Sequence, residues 1–270
     1  MRRKSVPLLF VFCLALISQS CNKNWQDYFN PDGISDHVYR GPIVKMGNGQ
    51  VRAVFTLSPT GVPQKLSIEM NDAALQGLTQ DPTDFAHSMF MLSVPQKVKD
   101  LTPFNHLMIN WNPKGHPPFE IYGVPHFDFH FYEMSENAQM MIPEYNDQTA
   151  ATFDKAPAQG FLPSSYVASP GGVPQMGKHW IDPSSPEYHG SLFTKTFIYG
   201  TYNGVVTFYE PMITYDYISA GTQSSTAFDQ PKYFSPDQKY YPTKYEITRD
   251  ASKHTHTVSL TDFVWRQTTK

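Results

Sequence analysis

Short runs in which apolar and polar residues alternate recur along most of this chain, and this period of two is typical of a half-buried β-strand. Segments rich in Pro, Gly, Asn and Ser separate the runs and favour turns. Single strands are predicted at 85–94, 106–111, 121–133, 241–248 and 254–263. Long stretches with the 3.6-residue period of an amphipathic helix are missing, so the pattern predicts a mainly β protein.

Two pairs of β-prone runs are close enough along the chain to form hairpins, 50–57 with 64–70 and 193–199 with 205–209. In the first pair, Pro59 and Gly61 lie in the connection and suit a reversing turn. In the second, Asn203 and Gly204 can adopt the positive φ angles that a tight two-residue turn requires. Both connections therefore predict antiparallel pairing of neighbouring strands.

Helical signals are short and few. Asn71 can cap a helix that runs through Leu78, and residues 135–141 form a second candidate that must end before Pro143. Residues 148–177 are rich in Ala, Pro, Gly and Ser, which predicts a long surface loop. The expected fold is an antiparallel barrel or a jelly-roll-like sandwich with one or two short helices.

The N-terminus has the three parts of a signal peptide. Basic residues at positions 2–4 precede the apolar run 6–17, which is too short to span a bilayer as a helix. Cleavage before Cys21 would place a lipid on that cysteine and anchor the protein to a membrane. The small residues Ser18 and Ser20 also suit ordinary signal peptidase, which would release a periplasmic or secreted protein.

The expected organisation has three parts: a signal peptide at 1–20, a polar tether at 21–47 and a single β-rich domain at 48–270. The mature chain would be extracytoplasmic and would retain one cysteine of the two in the sequence, so it could form no internal disulfide. The net charge is −3, and no basic cluster follows the signal peptide. This charge pattern argues against nucleic acid as a partner.

The segment GVPHFDFHFYE at 123–133 contains the most informative pattern. In an extended strand the side chains alternate between faces. One face would carry three phenylalanines, Phe127, Phe129 and Phe131. The other face would carry the polar row His126, Asp128, His130 and Tyr132. We expect the phenylalanine face to pack in the core and the polar row to form a site.

Imidazole and carboxylate groups are ligands that Zn, Fe and Mn accept. The Cα atoms of His126 and His130 would lie roughly 13 Å apart, whereas Asp128 would lie about 6.6 Å from each. The two histidines therefore share an ion only if the strand is bent. His179 and Glu210, each in an aromatic segment, are the candidate distant ligands. Two histidines and one carboxylate would resemble the ligand set of non-haem iron sites.

Two interpretations without metal remain open. The polar row could be a structural network in which Asp128 orients both imidazoles, or it could be a solvated outer face. Among the other histidines, His116 is expected to be a loop residue, and His254 and His256 are reserve ligands on one strand. Four aromatic residues could form a surface that binds sugars, although core packing is the default for them: Trp111, Trp180, Tyr240 and Tyr241.

Three strings, at 125–132, 177–182 and 193–214, resemble an uncharacterised family of secreted bacterial proteins, domain of unknown function 5602. The likeness spans roughly 106–263. It implies a β-rich extracytoplasmic fold and little about reaction chemistry. The matching strings contain the candidate ligands His126, Asp128, His130, His179 and Glu210.

Two hypotheses for function follow from the sequence. The first is a cell-envelope protein with one divalent metal ion near His126, Asp128 and His130, completed by His179 or Glu210. Such an ion could activate water or bind an oxygen substrate as a Lewis acid, so a metal-dependent enzyme is included in this hypothesis. The alternative is a non-catalytic module that binds a glycan or an apolar ligand. The sequence assigns neither a catalytic residue nor an oligomeric state.

Overall fold

A computed structural model describes residues 37–267. The expected signal peptide, Cys21 and most of the expected tether lie outside the described residues. The strands, in chain order, are β1 (Val38–Arg40), β2 (Val44–Met46), β3 (Gly49–Leu57), β4 (Pro63–Asn71), β5 (Met89–Ser93), β6 (His106–Asn112), β7 (His126–Tyr132), β8 (Val167–Ala168), β9 (Lys178–Ile181), β10 (Lys195–Tyr202), β11 (Val205–Thr214), β12 (Ser224–Ala227), β13 (Lys239–Tyr241), β14 (Lys244–Asp250), β15 (Thr255–Thr261) and β16 (Val264–Arg266).

These strands form two large antiparallel sheets and one small one. The first large sheet has the order β1-β3-β4-β15-β14-β12, with β2 also paired to β3. The second has the order β5-β6-β7-β11-β10-β9-β8, and β13 pairs with β16. The main core contains side chains from both large sheets, including Phe55 and Ile68 from the first and Phe129 and Tyr209 from the second. The mainly β fold is therefore confirmed, with the architecture of a sandwich of two open sheets.

Strand alternation explains which face of β7 lies in the core. Phe127, Phe129 and Phe131 are fully buried, as the sequence predicts. Phe127 packs against Trp111 of β6, with 4.6 Å between the ring centroids. Burial of three large aromatic side chains at alternate positions fixes the register of β7, because a slip of one residue would move all of them out of the core.

Both predicted hairpins are present. In β3–β4, Phe55 pairs with Leu66, and in β10–β11, Tyr199 pairs with Tyr209. Asn203 and Gly204 connect β10 to β11 with φ angles of 50° and 80°. Asparagine and glycine tolerate these left-handed conformations, which explains why the turn could be recognised from sequence.

The helices are short and more numerous than the one or two expected. They are α1 (Gln96–Leu101), α2 (Phe119–Tyr122), α3 (Glu136–Met140), α4 (Ala150–Phe153) and α5 (Tyr215–Ser219), and three 3-10 segments lie at Asp72–Leu75, Phe85–His87 and Pro186–His189. The predicted cap is present, since Asn71 accepts a hydrogen bond from the N–H of Ala74, and Ser135 likewise accepts one from the N–H of Ala138 at the start of the second predicted helix. Elements of four to six residues are too short to show a helical period, so the sequence did not indicate the others.

The structure differs from the expected boundaries at several places, among them the predicted loop 148–177, which contains α4 and β8. Strands β1 and β2 lie in the segment expected to be an irregular tether, and both pair with β3. The predicted strand 85–94 begins with a 3-10 turn, and 121–133 begins with the end of α2. Pro125 immediately precedes β7, where its missing N–H and fixed φ mark the boundary. None of the described helices meets the length and hydrophobicity needed to cross a membrane.

The outer face of the second sheet, opposite the main core, is also buried. Two small apolar clusters lie on it, one around Tyr122, Phe193 and Met212 and one around Tyr132 and Phe208. Helix α3 covers part of this face, because Gln139 accepts a 2.7 Å hydrogen bond from His106 at the start of β6. The polar row of β7 is therefore enclosed between the sheet and the connecting segments.

Candidate metal centres

The polar row of β7 lies at the centre of the outer face of the second sheet. Strand pairing places His126 beside Asn112 of β6 and Thr214 of β11, and Asp128 beside Asn110 and Met212. His126 and His130 are fully buried, and Asp128 is nearly so. The interpretation of the row as a solvated surface is therefore wrong.

Three side chains form a first group: His116, His126 and Asp128. One ligand atom from each lies within 4.8 Å of the other two. The Nε2 atom of His126 is 3.2 Å from Oδ1 of Asp128, and Nε2 of His116 is 3.7 Å from Oδ2. The two imidazole rings meet edge to face, with centroids 4.7 Å apart.

Hydrogen bonds to the backbone determine which ring nitrogen faces the group. Nδ1 of His126 is 2.7 Å from the carbonyl oxygen of Val124, and Nδ1 of His116 is 2.9 Å from that of Pro117. A carbonyl oxygen can only accept, so each Nδ1 donates its proton. In the neutral form of a ring held in this way, the lone pair is on Nε2, the atom that lies toward Asp128. Metal-binding histidines commonly have this arrangement.

The Asp128 carboxylate is held from one side only. Asn112 donates a 2.8 Å hydrogen bond to Oδ2, whereas Oδ1 is buried without a hydrogen-bond partner among the described residues. Burial alone would raise the pKa of Asp128, but the adjacent His126 and His116 hold it well below its usual value. The Asp128 carboxylate is therefore ionised at neutral pH. Asn110, on the neighbouring strand, also has a buried Oδ1 without a partner.

His116 was expected to be a loop residue, and it does lie in a connection, between β6 and α2. This connection folds back on itself, because the N–H of His116 donates to the carbonyl oxygen of Tyr122. Gly115 allows the close approach: it has a φ of 68°, and a Cβ atom there would lie 1.9 Å from the same oxygen. The position of His116 beside Asp128 depends on this turn, which no spacing rule in the sequence indicates.

A second group contains the remaining candidates, His130, His179 and Glu210, again with ligand atoms within 4.8 Å of one another. They come from three strands, β7, β9 and β11. The Nε2 atom of His130 is 3.5 Å from Oε1 of Glu210, and Nε2 of His179 is 3.6 Å from Oε2. The sequence predicted both distant residues as candidates, and the structure brings them together with His130 and separates them from His126.

Phe208 and Gly200 shape the second group. The Phe208 ring meets His130 and His179 edge to face, with centroids 4.8 Å and 5.4 Å away. Gly200 lies between β9 and β11, paired with His179 on one side and Phe208 on the other. A Cβ atom at this position would lie 2.1 Å from the Phe208 ring. The absence of a side chain at Gly200 therefore leaves room for the ring that supports both histidines.

The polar atoms of the second group are largely unsatisfied. Within residues 37–267, neither ring nitrogen of His130 has a hydrogen-bond partner, and the same is true of Oε2 of Glu210. Burial lowers the pKa of His130 to about 3 and that of His179 to about 4, so both rings are neutral at pH 7. Burial and the charge of Asp128 raise the pKa of Glu210 well above its usual range. The raised pKa favours the protonated form of Glu210, and the carboxyl group must lose this proton when a cation binds.

Each group has one ligand near solvent. The side chain of His116 is 35% exposed and that of His179 is 17% exposed, while the carboxylates are almost completely buried. An ion in either group would therefore be held mainly by buried atoms and approached from one side. This geometry leaves a coordination position for water or an oxygen ligand.

The reserve candidates do not join either group. His254 and His256 both contact Asp72, at 3.2 Å and 2.9 Å, and Arg249 contacts the same carboxylate at 3.0 Å. A permanently charged guanidinium at this place disfavours a metal ion. Core packing, the default interpretation for the four aromatic residues, is confirmed: Trp111 and Tyr241 are buried in the main core, and Trp180 and Tyr240 pack against it.

The expected single site is thus replaced by two adjacent groups of two histidines and one carboxylate each. His126 and His130 belong to different groups because β7 is not bent enough to bring them together. Comparison with known proteins adds no assignment, because no family model, curated protein or solved structure matches the chain. The resemblance to domain of unknown function 5602 stays a prediction.

Proposed function

We propose that this is a metal-binding protein of the cell envelope that holds two divalent transition-metal ions side by side on the outer face of the second sheet. The first ion would be bound by His116, His126 and Asp128, and the second by His130, His179 and Glu210. The observation that supports this most strongly is His130, a fully buried imidazole with no hydrogen bond at either nitrogen, placed beside a buried carboxylate.

Unsatisfied buried polar atoms are costly, at about 1 to 3 kcal/mol each. A purely structural network would remove this cost with hydrogen bonds, which have donor–acceptor distances of about 2.7 to 3.2 Å. The His130–Glu210 and His179–Glu210 distances of 3.5 and 3.6 Å are longer. A cation between these atoms would pair with Nε2 of His130, Nε2 of His179 and the Glu210 carboxylate at once, and would leave only Nδ1 of His130 without a partner. In the first group, Nε2 of His126 and Oδ1 of Asp128 lie 3.2 Å apart, and each is buried without a hydrogen bond.

The size of each group also suits an ion. Atoms bound to one metal at about 2.1 Å lie within roughly 4.2 Å of one another. The ligand atoms already lie within 4.8 Å, so a small inward movement of the side chains would complete each site. Two imidazoles and a carboxylate suit Zn, Fe or Mn.

Three protein ligands leave an open position on each ion, as in catalytic zinc sites. A metal ion with such an open position can bind water there and lower its pKa to about 7, or it can polarise an oxygen substrate. Lewis-acid activation of water is the chemistry that we propose for the site. Both carboxylates are occupied as ligands, so neither is assigned as a general base.

Metal content and thermal stability test the proposal. We expect protein purified without chelator to contain up to two equivalents of a transition metal by mass spectrometry. A ligand at a hundredfold excess over its Kd stabilises the native state by about 2.7 kcal/mol, so a chelator should lower the melting temperature clearly. Protein that takes up no metal after incubation with Zn, Fe or Mn, and that melts identically with and without chelator, would refute the proposal.

The envelope location is a separate proposal that rests on the N-terminal sequence. If Cys21 becomes the lipidated first residue, Cys21→Ser should abolish lipid labelling and release the protein from membranes. Cys13→Ser is the matched control, because Cys13 would be removed with the signal peptide and should change neither readout. Membrane retention of the Cys21→Ser protein at the wild-type level would contradict lipid anchoring.

A further inference from the structure

A second candidate site lies at one end of the sandwich, away from both groups of metal ligands. A cavity of about 190 Å³ opens between the ends of β7 and β11 and the segments near residues 157–161 and 231–235. Five aromatic side chains contribute to its wall, Phe161, Tyr209, Tyr233, Phe234 and Tyr241. The only carboxylate in its lining belongs to Glu133.

Glu133 immediately follows β7 and continues the alternation of Phe127, Phe129 and Phe131. It therefore points to the core side of the sheet, opposite the polar row. Its N–H donates a 2.7 Å hydrogen bond to the carbonyl oxygen of Thr207, which fixes the backbone. No other described residue makes a hydrogen bond or an ion pair with its carboxylate. A carboxylate that faces an aromatic cavity without a counter-charge is costly.

The basic side chains near the cavity already have other partners. Arg266 stacks on Phe234 with 4.8 Å between the guanidinium carbon and the ring centroid, and Lys232 lies 4.9 Å from the centroid of Tyr233. Lys155 donates to Oδ1 of Asn203 at 3.2 Å. Burial is the cause that raises the pKa of Glu133 well above its usual range. None of these three cations forms an ion pair with the carboxylate of Glu133.

The chemistry of the wall discriminates among ligands. A neutral apolar molecule would leave the carboxylate without a partner, and a metal ion would find a single oxygen ligand where it needs several. An organic cation satisfies both parts of the wall, because its charge pairs with the carboxylate and its alkyl groups pack against aromatic faces. Cages of aromatic residues bind quaternary ammonium groups in this way.

We propose that this cavity binds a small organic cation of the alkylammonium class, with Glu133 as the counter-charge and the surrounding tyrosines and phenylalanines as the cage. This site is independent of the proposed metal centres, since it lies on the other side of the second sheet. The protein would then bind a small organic cation in addition to metal ions.

The test uses choline and its neutral isostere 3,3-dimethylbutan-1-ol as probes, with the full mature chain, by isothermal titration calorimetry. We expect saturable binding of choline and binding of the neutral probe that is weaker by about tenfold or more, equivalent to about 1.4 kcal/mol. Glu133→Gln should weaken choline binding by a similar factor, while the exposed control Glu144→Gln should not. Because burial of Glu133 favours its protonated form, choline affinity should rise with pH.

Equal affinity for choline and its neutral isostere would overturn the proposal, as would the absence of saturable choline binding up to about 10 mM, a concentration above a millimolar Kd. Unchanged choline binding by a folded Glu133→Gln protein would do the same. If Glu133→Gln does not fold, Tyr233→Leu provides the test of choline binding. Tyr233 is half-buried at the cavity, and its ring is part of the cage. That variant should lose choline affinity by several-fold and retain affinity for the neutral probe.

Discussion

Asp128→Asn is expected to remove one of two bound metal equivalents and to leave the other in place. Asparagine keeps the shape of the side chain and can still accept the hydrogen bond from Asn112, so the apo fold should survive. It removes the negative charge that pairs with the ion, together with one anionic oxygen ligand. The first group would then have two imidazoles and a neutral amide, which is a much weaker set for a divalent cation.

The reciprocal variant, Glu210→Gln, should remove the other equivalent. Metal content by mass spectrometry and the chelator-induced change in melting temperature should fall by about half in each single variant and disappear in the double variant. His254→Gln is a matched control, because His254 contacts a carboxylate but belongs to neither group. Loss of all metal in either single variant would contradict two separate sites and favour one shared ion.

Phe129→Ala should cost about 3 to 5 kcal/mol of unfolding free energy, the range for a large aromatic side chain removed from a well-packed core. Phe129 is fully buried, and its ring centroid is 5.8 Å from that of Phe127. The alanine would leave a cavity in the middle of β7, between the buried side chains of Phe127 and Phe131 on the same face. Chemical denaturation of wild type and variant, both in chelator, gives the difference directly.

The control for this prediction is Phe119→Ala. Phe119 has the same side chain but is 61% exposed, so its replacement should change the unfolding free energy by about 0.5 kcal/mol or less. If Phe129→Ala cost under about 1 kcal/mol, the assignment of the phenylalanine face to the core would be wrong. Measurement in chelator separates this core effect from any loss of metal at Asp128, the neighbouring residue on the opposite face.

Much of the local structure could be predicted because it depends on neighbouring residues. The alternation in β7 correctly separates Phe129 from Asp128, and Asn203 with Gly204 correctly marks the turn between β10 and β11. The mainly β class follows from the same local patterns. His130 and Glu210 could be recognised as candidates because a charged or titratable residue inside an aromatic strand needs a partner.

The arrangement of these parts could not be predicted, because it depends on contacts between distant segments. The pairing of β7 with β11 decides that Glu210 lies next to His130 and far from His126. The role of His116 depends on a turn held by the Tyr122 carbonyl oxygen, and local patterns favour a loop there. Strands β1 and β2 pair with the edge of β3, although each is only three residues long, too short to show an alternating pattern.

The close contact between Gly200 and Phe208 has a consequence for recognising distant relatives of this chain. Aromatic strings and scattered histidines recur by chance in β-rich sequences, so the ligands alone make a weak signature. A glycine at position 200 followed by a phenylalanine at 208 is a steric requirement of the second group, since any side chain would displace the ring. A sequence that combines these two residues with all six candidate ligands would therefore be a more specific match than one that shares the aromatic strings.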